Sequence, residues 1–213
     1  CLGAGITGES IGPVYTSIQQ SLLSGLVVTS NGQLASGEHM LPKGSWLHHD
    51  GVGYHLLNDA EVRQEKVEGN WKTIYSTRGD RPAAGDIFSL WIDHGSSPKS
   101  QNYAYVLYPQ TKSVDMDRLT KSSSVNIISN TDKLQAIESE SGIKAVFYTQ
   151  GEFTTANNKT IEVSAPCCFA ITSNKITVSD PLCFQDSIIV TINGKPQTIS
   201  FPQGDYKGKP VFD

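Results

Sequence analysis

The chain has 213 residues, a net charge of −4, 38% hydrophobic residues and 18% charged residues. That length suits one large domain or two small ones, and it can bury a core without staples. With 21 acidic and 17 basic side chains there is no strong positive field, so nucleic acid is not an expected partner. No run approaches the roughly 20 apolar residues of a spanning helix, and no signal-peptide pattern opens the chain, so no membrane partner is expected. Cys1 stands first in place of Met, as in a fragment or a processed product. A mature bacterial lipoprotein also begins with Cys, but Leu2 and Ile6 read as strand residues and not as a tether.

Strand patterns run through the first half. Leu22 to Val28 is an apolar run ended by the turn signal Asn31-Gly32. Trp46–His49 and Gly53–Leu57 flank a turn at Asp50-Gly51. Glu61–Val67 is polar and suits a solvated sheet face or an edge. Gly69-Asn70 turns into a strand over Trp71–Tyr75. Ile87–Ile92 is strongly apolar, and Tyr103–Tyr108 is its expected partner across the loop Gly95–Pro98. Pro109 ends that strand because it cannot donate to a ladder.

Thr111 to Ser124 is polar and reads as a linker or a long edge connection. Ser129–Ile137 carries the best short helical pattern, but it reads better as a turn capped by Asn130 or Thr131. The second half then gives strands at Ala145–Tyr148, Thr160–Val163, Cys168–Ile171 and Lys175–Val178. Asp186–Ile192 and Gln197–Phe201 are joined by Asn193-Gly194, the strongest short hairpin signal. Short strands at such spacing predict an all-β antiparallel sandwich or barrel, and nothing alternates strand with helix.

Few constellations point to chemistry. The histidines are His39, His48, His49, His55 and His94. His48 and His49 are adjacent on a strand and face opposite ways, so they cannot readily share one ion with Asp50. The reading is structural, with imidazoles closing hydrogen bonds at a strand end. Asp93-His94 invites a catalytic dyad, but no nucleophile elbow accompanies it and Ser96-Ser97 lie in an ordinary loop. Cys1, Cys167, Cys168 and Cys183 show no zinc spacing. They read as buried free thiols, or as a bridge from Cys167 or Cys168 to Cys183 in an oxidising compartment. The aromatics Trp91, Tyr103, Tyr105 and Tyr108 crowd the expected hairpin, with Tyr103 and Tyr105 on one face. Trp91, Tyr103 and Tyr105 are the candidate substrate-binding residues, set against core packing, and Trp46 and Trp71 carry the same two readings. No metal or cofactor is expected. Pattern alone ends at an all-β module.

The segment Asp86-Ile-Phe-Ser-Leu-Trp-Ile-Asp-His-Gly95, followed by Tyr103-Ala-Tyr-Val-Leu-Tyr-Pro109, resembles polysaccharide lyase family 8, the chondroitin AC, hyaluronan and xanthan lyases. Cys1–Ile6, Pro13–Leu22, Trp46–Tyr54 and Gly69–Ile74 are similar to the same domain in the same order. Asn130 with Gln135-Ala136, Ala145–Tyr148, Ala165–Phe169 and Thr177–Pro181 resemble the family's small last domain. Among members the likeness is greatest to chondroitin AC lyases.

The resemblance implies an α/α toroid, a large central β-sandwich and a small C-terminal β-sandwich. Residues 1–112 would be the C-terminal part of the central sandwich, 113–127 a linker and 128–213 the small C-terminal sandwich. It implies β-elimination at a uronic acid, with a Tyr/His pair, Asn and Arg on the toroid and a supporting glutamate early in the central domain. None of these has a match here, so no catalytic residue is expected within the chain, and the family's cation site also lies upstream of Cys1. The implied whole enzyme is a secreted or periplasmic lyase of acidic polysaccharide, chondroitin sulfate or hyaluronan, whose partner domain is the upstream toroid. The 213 residues alone would be non-catalytic, with a structural or cleft-wall role; the alternative is a non-catalytic carbohydrate-binding module.

Overall fold

A computed structural model describes residues 1–9, 11–122, 125–173 and 175–212. Contacts divide the chain into two compact units, one of Cys1 with Ile6–Ser122 and one of Leu2–Gly5 with Ser123–Asp213. The strands up to the first unit's end are β1 (Leu2–Ile6), β2 (Tyr15–Leu22), β3 (Val28–Thr29), β4 (Gly32–Gln33), β5 (Gly37–Leu41), β6 (Trp46–His49), β7 (Val52–Leu56), β8 (Ala60–Asn70), β9 (Pro82–Asp93) and β10 (Gln101–Pro109). Two short helices accompany them, α1 (Trp71–Ile74) and α2 (Met116–Ser122).

In the first unit one antiparallel sheet has the order β2-β9-β8-β5, and a second contains the run β10-β7-β6-β3-β4. Alternation sends Val62, Phe88, Leu90 and Ile92 inward from the first sheet, and Leu47, Tyr54 and Leu56 inward from the second. Phe88 meets His49 at 4.2 Å and Tyr54 at 6.3 Å between ring centroids, which ties the two sheets face to face. This is an antiparallel sandwich, as the strand pattern predicts. β8 lies inside its sheet, so the solvated-face alternative for Glu61–Val67 holds and the edge alternative does not. Its one inward polar residue, Gln64, donates to the carbonyls of Leu34 and Ala35 at 2.8 and 2.5 Å.

Four sequence expectations are corrected. β9 and β10 are not hairpin partners: β9 pairs with β2 and β8, while β10 pairs with β7, so the Gly95–Pro98 loop carries the chain from one sheet to the other. Trp71–Tyr75 is no strand. Asn70 caps a single helical turn there, its side chain accepting from the Lys72 N–H at 2.9 Å, which offers the chain an alternative to the ladder. The run Leu22–Val28 does not stay extended, because Gly25 at φ +72° breaks it. Within 113–127, Ser113–Asp115 forms a 3₁₀ turn that leads into α2, and Met116 is fully buried. Trp46 Nε1 donates to Asp117 Oδ1 at 2.8 Å and Met116 packs on Gly53, so adjacent residues of α2 are held by β6 and β7.

The second unit holds β11 (Asn126–Asn130), β12 (Leu134–Ser139), β13 (Gly142–Phe147), β14 (Gly151–Thr154), β15 (Thr160–Val163), β16 (Cys167–Thr172), β17 (Lys175–Ser179), β18 (Ser187–Ile192), β19 (Lys195–Ser200) and β20 (Val211–Phe212). Its sheets run β11-β12-β13-β16-β17-β20 and β14-β15-β18-β19. They enclose one core that includes Phe147, Phe153, Ile161, Phe169, Val178, Ile188 and Val190. Thr131 closes the turn between β11 and β12, accepting from Leu134 N at 3.1 Å. Asn193 and Gly194 take φ of +49° and +75°, the left-handed pair that a two-residue hairpin needs. Asp180, 2% exposed, accepts from the backbone N–H groups of Leu182, Phe184 and Gln185 at 3.1, 2.8 and 2.8 Å. Burial alone would raise its pKa, but those donors, with Cys183, hold it below the usual carboxylate range.

Candidate functional site

Trp91 sits on β9 between inward-facing Leu90 and Ile92, so its indole lies on the outer face of the β2-β9-β8-β5 sheet. Opposite it in register stand Ser17 of β2 and Glu61 of β8. The β2 ladder shifts register between Ser17 and Gln19, and this bulge lets consecutive Gln19 and Gln20 both line the groove. The groove encloses about 260 Å³. Tyr15 meets the Trp91 ring edge-on at 6.2 Å, and the Arg63 guanidinium lies 5.3 Å over it. Among the described residues, the shielded Trp91 Nε1 has no hydrogen-bond partner.

The charge of this groove limits what it can hold. Arg63 pairs with Glu38 at 3.1 Å and Glu65 at 3.0 Å. Hydrogen bonding to Glu65 heads the causes that hold its pKa above the usual arginine value. Burial, then Asp93 and Glu38, push the Glu61 carboxyl above its usual range, with Arg63 opposing. Three carboxylates thus surround one guanidinium that two of them already engage. The chemistry suits a neutral polar group and repels an anionic one.

Tyr103 and Tyr105 come together on β10 but in the other sheet from Trp91. Their rings stack at 5.9 Å with an interplanar angle of 21°. Tyr103 packs against the first unit's core and lies 6.4 Å from His94. Burial, then Tyr103 and Tyr54, raise the Tyr105 hydroxyl's pKa. The structure therefore separates the candidate trio into a Trp91 groove and a tyrosine pair.

Four of the five histidines are occupied locally. His39 Nε2 contacts Ala35 O at 2.9 Å and His48 Nε2 contacts Thr111 O at 2.9 Å. His49, 2% exposed, accepts from Ser24 N at 3.1 Å through Nε2, so it is held neutral. His94 Nε2 meets Thr16 Oγ1 at 2.7 Å, whereas Asp93 Oδ1 accepts from Gly95 N at 2.7 Å and caps the turn. No Asp–His–nucleophile relay is built, because the aspartate is turned to the backbone. Among the described residues no three His, Cys, Asp or Glu side chains are placed to hold a metal ion, and no helix is long and apolar enough to cross a membrane. The four cysteines are free thiols, and burial, with Cys168 and Asp180, pushes Cys167 up to about 12.

A third feature escaped the sequence reading. β8 and β9 stay paired as far as Asn70↔Pro82 and form a ribbon whose distal residues Lys66–Gly69 and Pro82–Ala84 are exposed. Trp71 at its tip lines two hollows. One is apolar, about 380 Å³, with Leu22, Val67, Ile74, Ala83 and Ile87. The other is about 300 Å³, lined by Trp71, Thr77, Arg78, Gly79 and Arg81. The signal was present as Lys72, Arg78 and Arg81 close together in an otherwise acidic chain.

Residues 1–120 match the polysaccharide lyase family 8 super-sandwich domain, and residues 126–189 match the polysaccharide lyase family 8 C-terminal beta-sandwich domain. The chain belongs to polysaccharide lyase family 8. It is 30% identical over 228 residues to the chondroitinase AC of Pedobacter heparinus, covering 99% of this chain and 32% of that protein. It is 27% identical over 196 residues to the xanthan lyase of a Bacillus species, covering 82% of this chain and 20% of that one. A solved structure of chondroitinase AC lyase superposes on the whole chain with a TM-score of 0.88 at 29% identity, covering 34% of its own length. A Paenibacillus xanthan lyase structure gives 0.75 at 18% identity, over 90% of this chain and 21% of that one, which supports the fold. The chain spans about a third or less of the length of these relatives.

Proposed function

We propose that residues 1–213 are the closing β-sandwich portion of a polysaccharide lyase of the chondroitinase AC kind. The complete enzyme acts on chondroitin sulfate or hyaluronan by β-elimination at a uronic acid, and its proton-transfer groups sit on an α/α toroid that precedes these residues. The observation that carries this reading is the coverage: the whole chain superposes at a TM-score of 0.88 on 34% of a chondroitinase AC lyase. A supporting role fits the local chemistry. His39, His48, His49 and His94 are each committed to a nearby backbone or threonine partner. None of these four stands free beside a tyrosine and a carboxylate-neutralising arginine, the set that abstraction of a proton next to a uronate requires. The proposal includes residence outside the cytoplasm, secreted or periplasmic, and its support is the polymeric nature of the proposed substrate.

The test is a chimaera. Residues 1–213 replace the region of the Pedobacter heparinus chondroitinase AC with which they align. Elimination on chondroitin sulfate is expected to stay within about tenfold of that enzyme, a cost of about 1.4 kcal/mol in the barrier. A chimaera that is folded and soluble yet shows no elimination overturns the reading.

A further inference from the structure

We propose that the tip of the β8–β9 ribbon is a binding subsite for an anionic group, sulfate or carboxylate, on an acidic polysaccharide, held by Arg78 and Arg81 beside the Trp71 ring. The proposal rests on the reading above for its substrate class. The hollow of about 300 Å³ there is walled by Trp71, Thr77, Arg78, Gly79 and Arg81, which supplies an aromatic face, a hydroxyl and two guanidinium groups within one small recess. Among the described residues neither Arg78 nor Arg81 nor Lys72 forms an ion pair, whereas Arg63 on the same ribbon has two. The nearby Asp80 carboxylate accepts from the Asn70 side-chain amide. The tip therefore carries a local positive excess on a chain whose net charge is −4.

The recess is also pre-formed. The Trp71 N–H donates to Arg81 O at 3.3 Å, Arg78 N to Tyr75 O at 3.0 Å and Arg81 N to Gly79 O at 2.7 Å, so the backbone carrying both arginines is folded back on the helical turn. Trp71 is 53% exposed and Tyr75 58% exposed, although both are costly to leave in water. A planar guanidinium matches the paired oxygens of a carboxylate or sulfate, and an exposed indole offers an apolar face to the C–H side of a sugar ring. A uronic acid polymer presents both surfaces in every disaccharide. The Trp91 groove presents the opposite electrostatics, with Glu38, Glu61 and Glu65 around its single arginine.

The test uses the 213-residue chain and follows its tryptophan fluorescence during titration with chondroitin sulfate oligosaccharides, hyaluronan oligosaccharides and neutral dextran. Binding of the two anionic glycans, weakened by added salt, is expected, with none for dextran. The two anionic arms separate the sources: stronger binding of the sulfated glycan assigns the recess to sulfate, and equal binding assigns it to carboxylate. Arg78→Ala with Arg81→Ala is expected to weaken binding by at least about tenfold, since charge-assisted hydrogen bonds are lost. Arg78→Lys with Arg81→Lys keeps the charge and loses the fork, and is expected to fall between the two. Trp91→Phe is expected to leave binding unchanged. No binding by the wild-type chain, unchanged binding by the double alanine variant, or a loss with Trp91→Phe matching that of the double variant overturns the subsite. An inactive chimaera combined with arginine-dependent binding overturns the lyase reading and leaves the subsite standing; an active chimaera with arginine-independent binding does the reverse.

Discussion

Truncating Met116 to alanine tests whether the polar segment after β10 is part of the first unit's core. Met116 is 0% exposed although it stands in a stretch of Ser, Lys, Asp and Arg. Its thioether reaches β7 at Gly53, where a Cβ would collide with Met116 Sδ and stand 2.8 Å from Cε. Removing Cγ, Sδ and Cε forfeits about 2.5 kcal/mol of transfer free energy at roughly 0.8 kcal/mol per methylene-sized group. The unfilled space brings the total to about 3–4 kcal/mol, inside the range for buried Met→Ala changes. Trp46, Trp71 and Trp91 are the chain's three tryptophans and all lie in the first unit, so denaturant unfolding followed by tryptophan fluorescence reports on that unit. The midpoint is expected to fall with little change in slope. Gly53→Ala supplies a second arm. Alone it is destabilising, because its methyl displaces Met116; combined with Met116→Ala it refills part of the cavity, so the double variant is less destabilised than the two singles added. A Met116→Ala cost below about 0.5 kcal/mol, the level of an exposed substitution, would refute the packing argument.

Two further outcomes follow from buried titratable groups. Burial lowers the His49 pKa, with Asp50 opposing and His48 adding to the shift. The unfolded chain takes up the proton near pH 6.5 and the folded chain only at lower pH, so unfolding binds a proton in that window. Stability is therefore full above about pH 6.5 and declines as pH falls through it, levelling off below the folded pKa. His55 and His94 are lowered in the same direction, chiefly by burial. His49→Gln, which keeps an acceptor for Ser24 N–H, is expected to shrink the slope of stability between pH 7 and 5; an unchanged slope contradicts the assignment. In the second unit, Asp180→Ala strands three backbone donors and is expected to cost about 2–4 kcal/mol. Thermal unfolding by far-ultraviolet circular dichroism checks this, and a midpoint within error of wild type counts against it.

The legible parts of the fold were those written in local chemistry. Asp50-Gly51 and Asn193-Gly194 each take two consecutive positive φ angles, so the sequence signal and the backbone requirement coincide. Alternation in β15 and β16 leaves little choice of face. The misread parts depend on partners distant in sequence. Ile87–Ile92 and Tyr103–Tyr108 look like a hairpin because both are apolar and close in sequence, yet a chain crossing between two sheets has the same local signature. Met116 is one of three apolar residues in a polar stretch, with Val114 and Leu119, and its contact with Gly53 explains its burial. The Trp71 turn was hidden because Trp, Ile and Tyr favour strands, while its cap rests on a single Asn70 side chain. For the candidate site, the aromatics were visible but their company was not: Trp91 lies among glutamates contributed by β5 and β8, and Trp71 among arginines that arrive from the far side of the ribbon tip.

The most direct measurement is ultraviolet absorbance of newly formed unsaturated uronide when the purified 213-residue chain is incubated with chondroitin sulfate and with hyaluronan. The expected result is no rise above the enzyme-free control, because the proposed function assigns the proton-transfer groups to residues outside this chain. A rise that survives repurification and disappears with His48→Ala, His49→Ala or His94→Ala would place the chemistry inside this chain and contradict the proposed role.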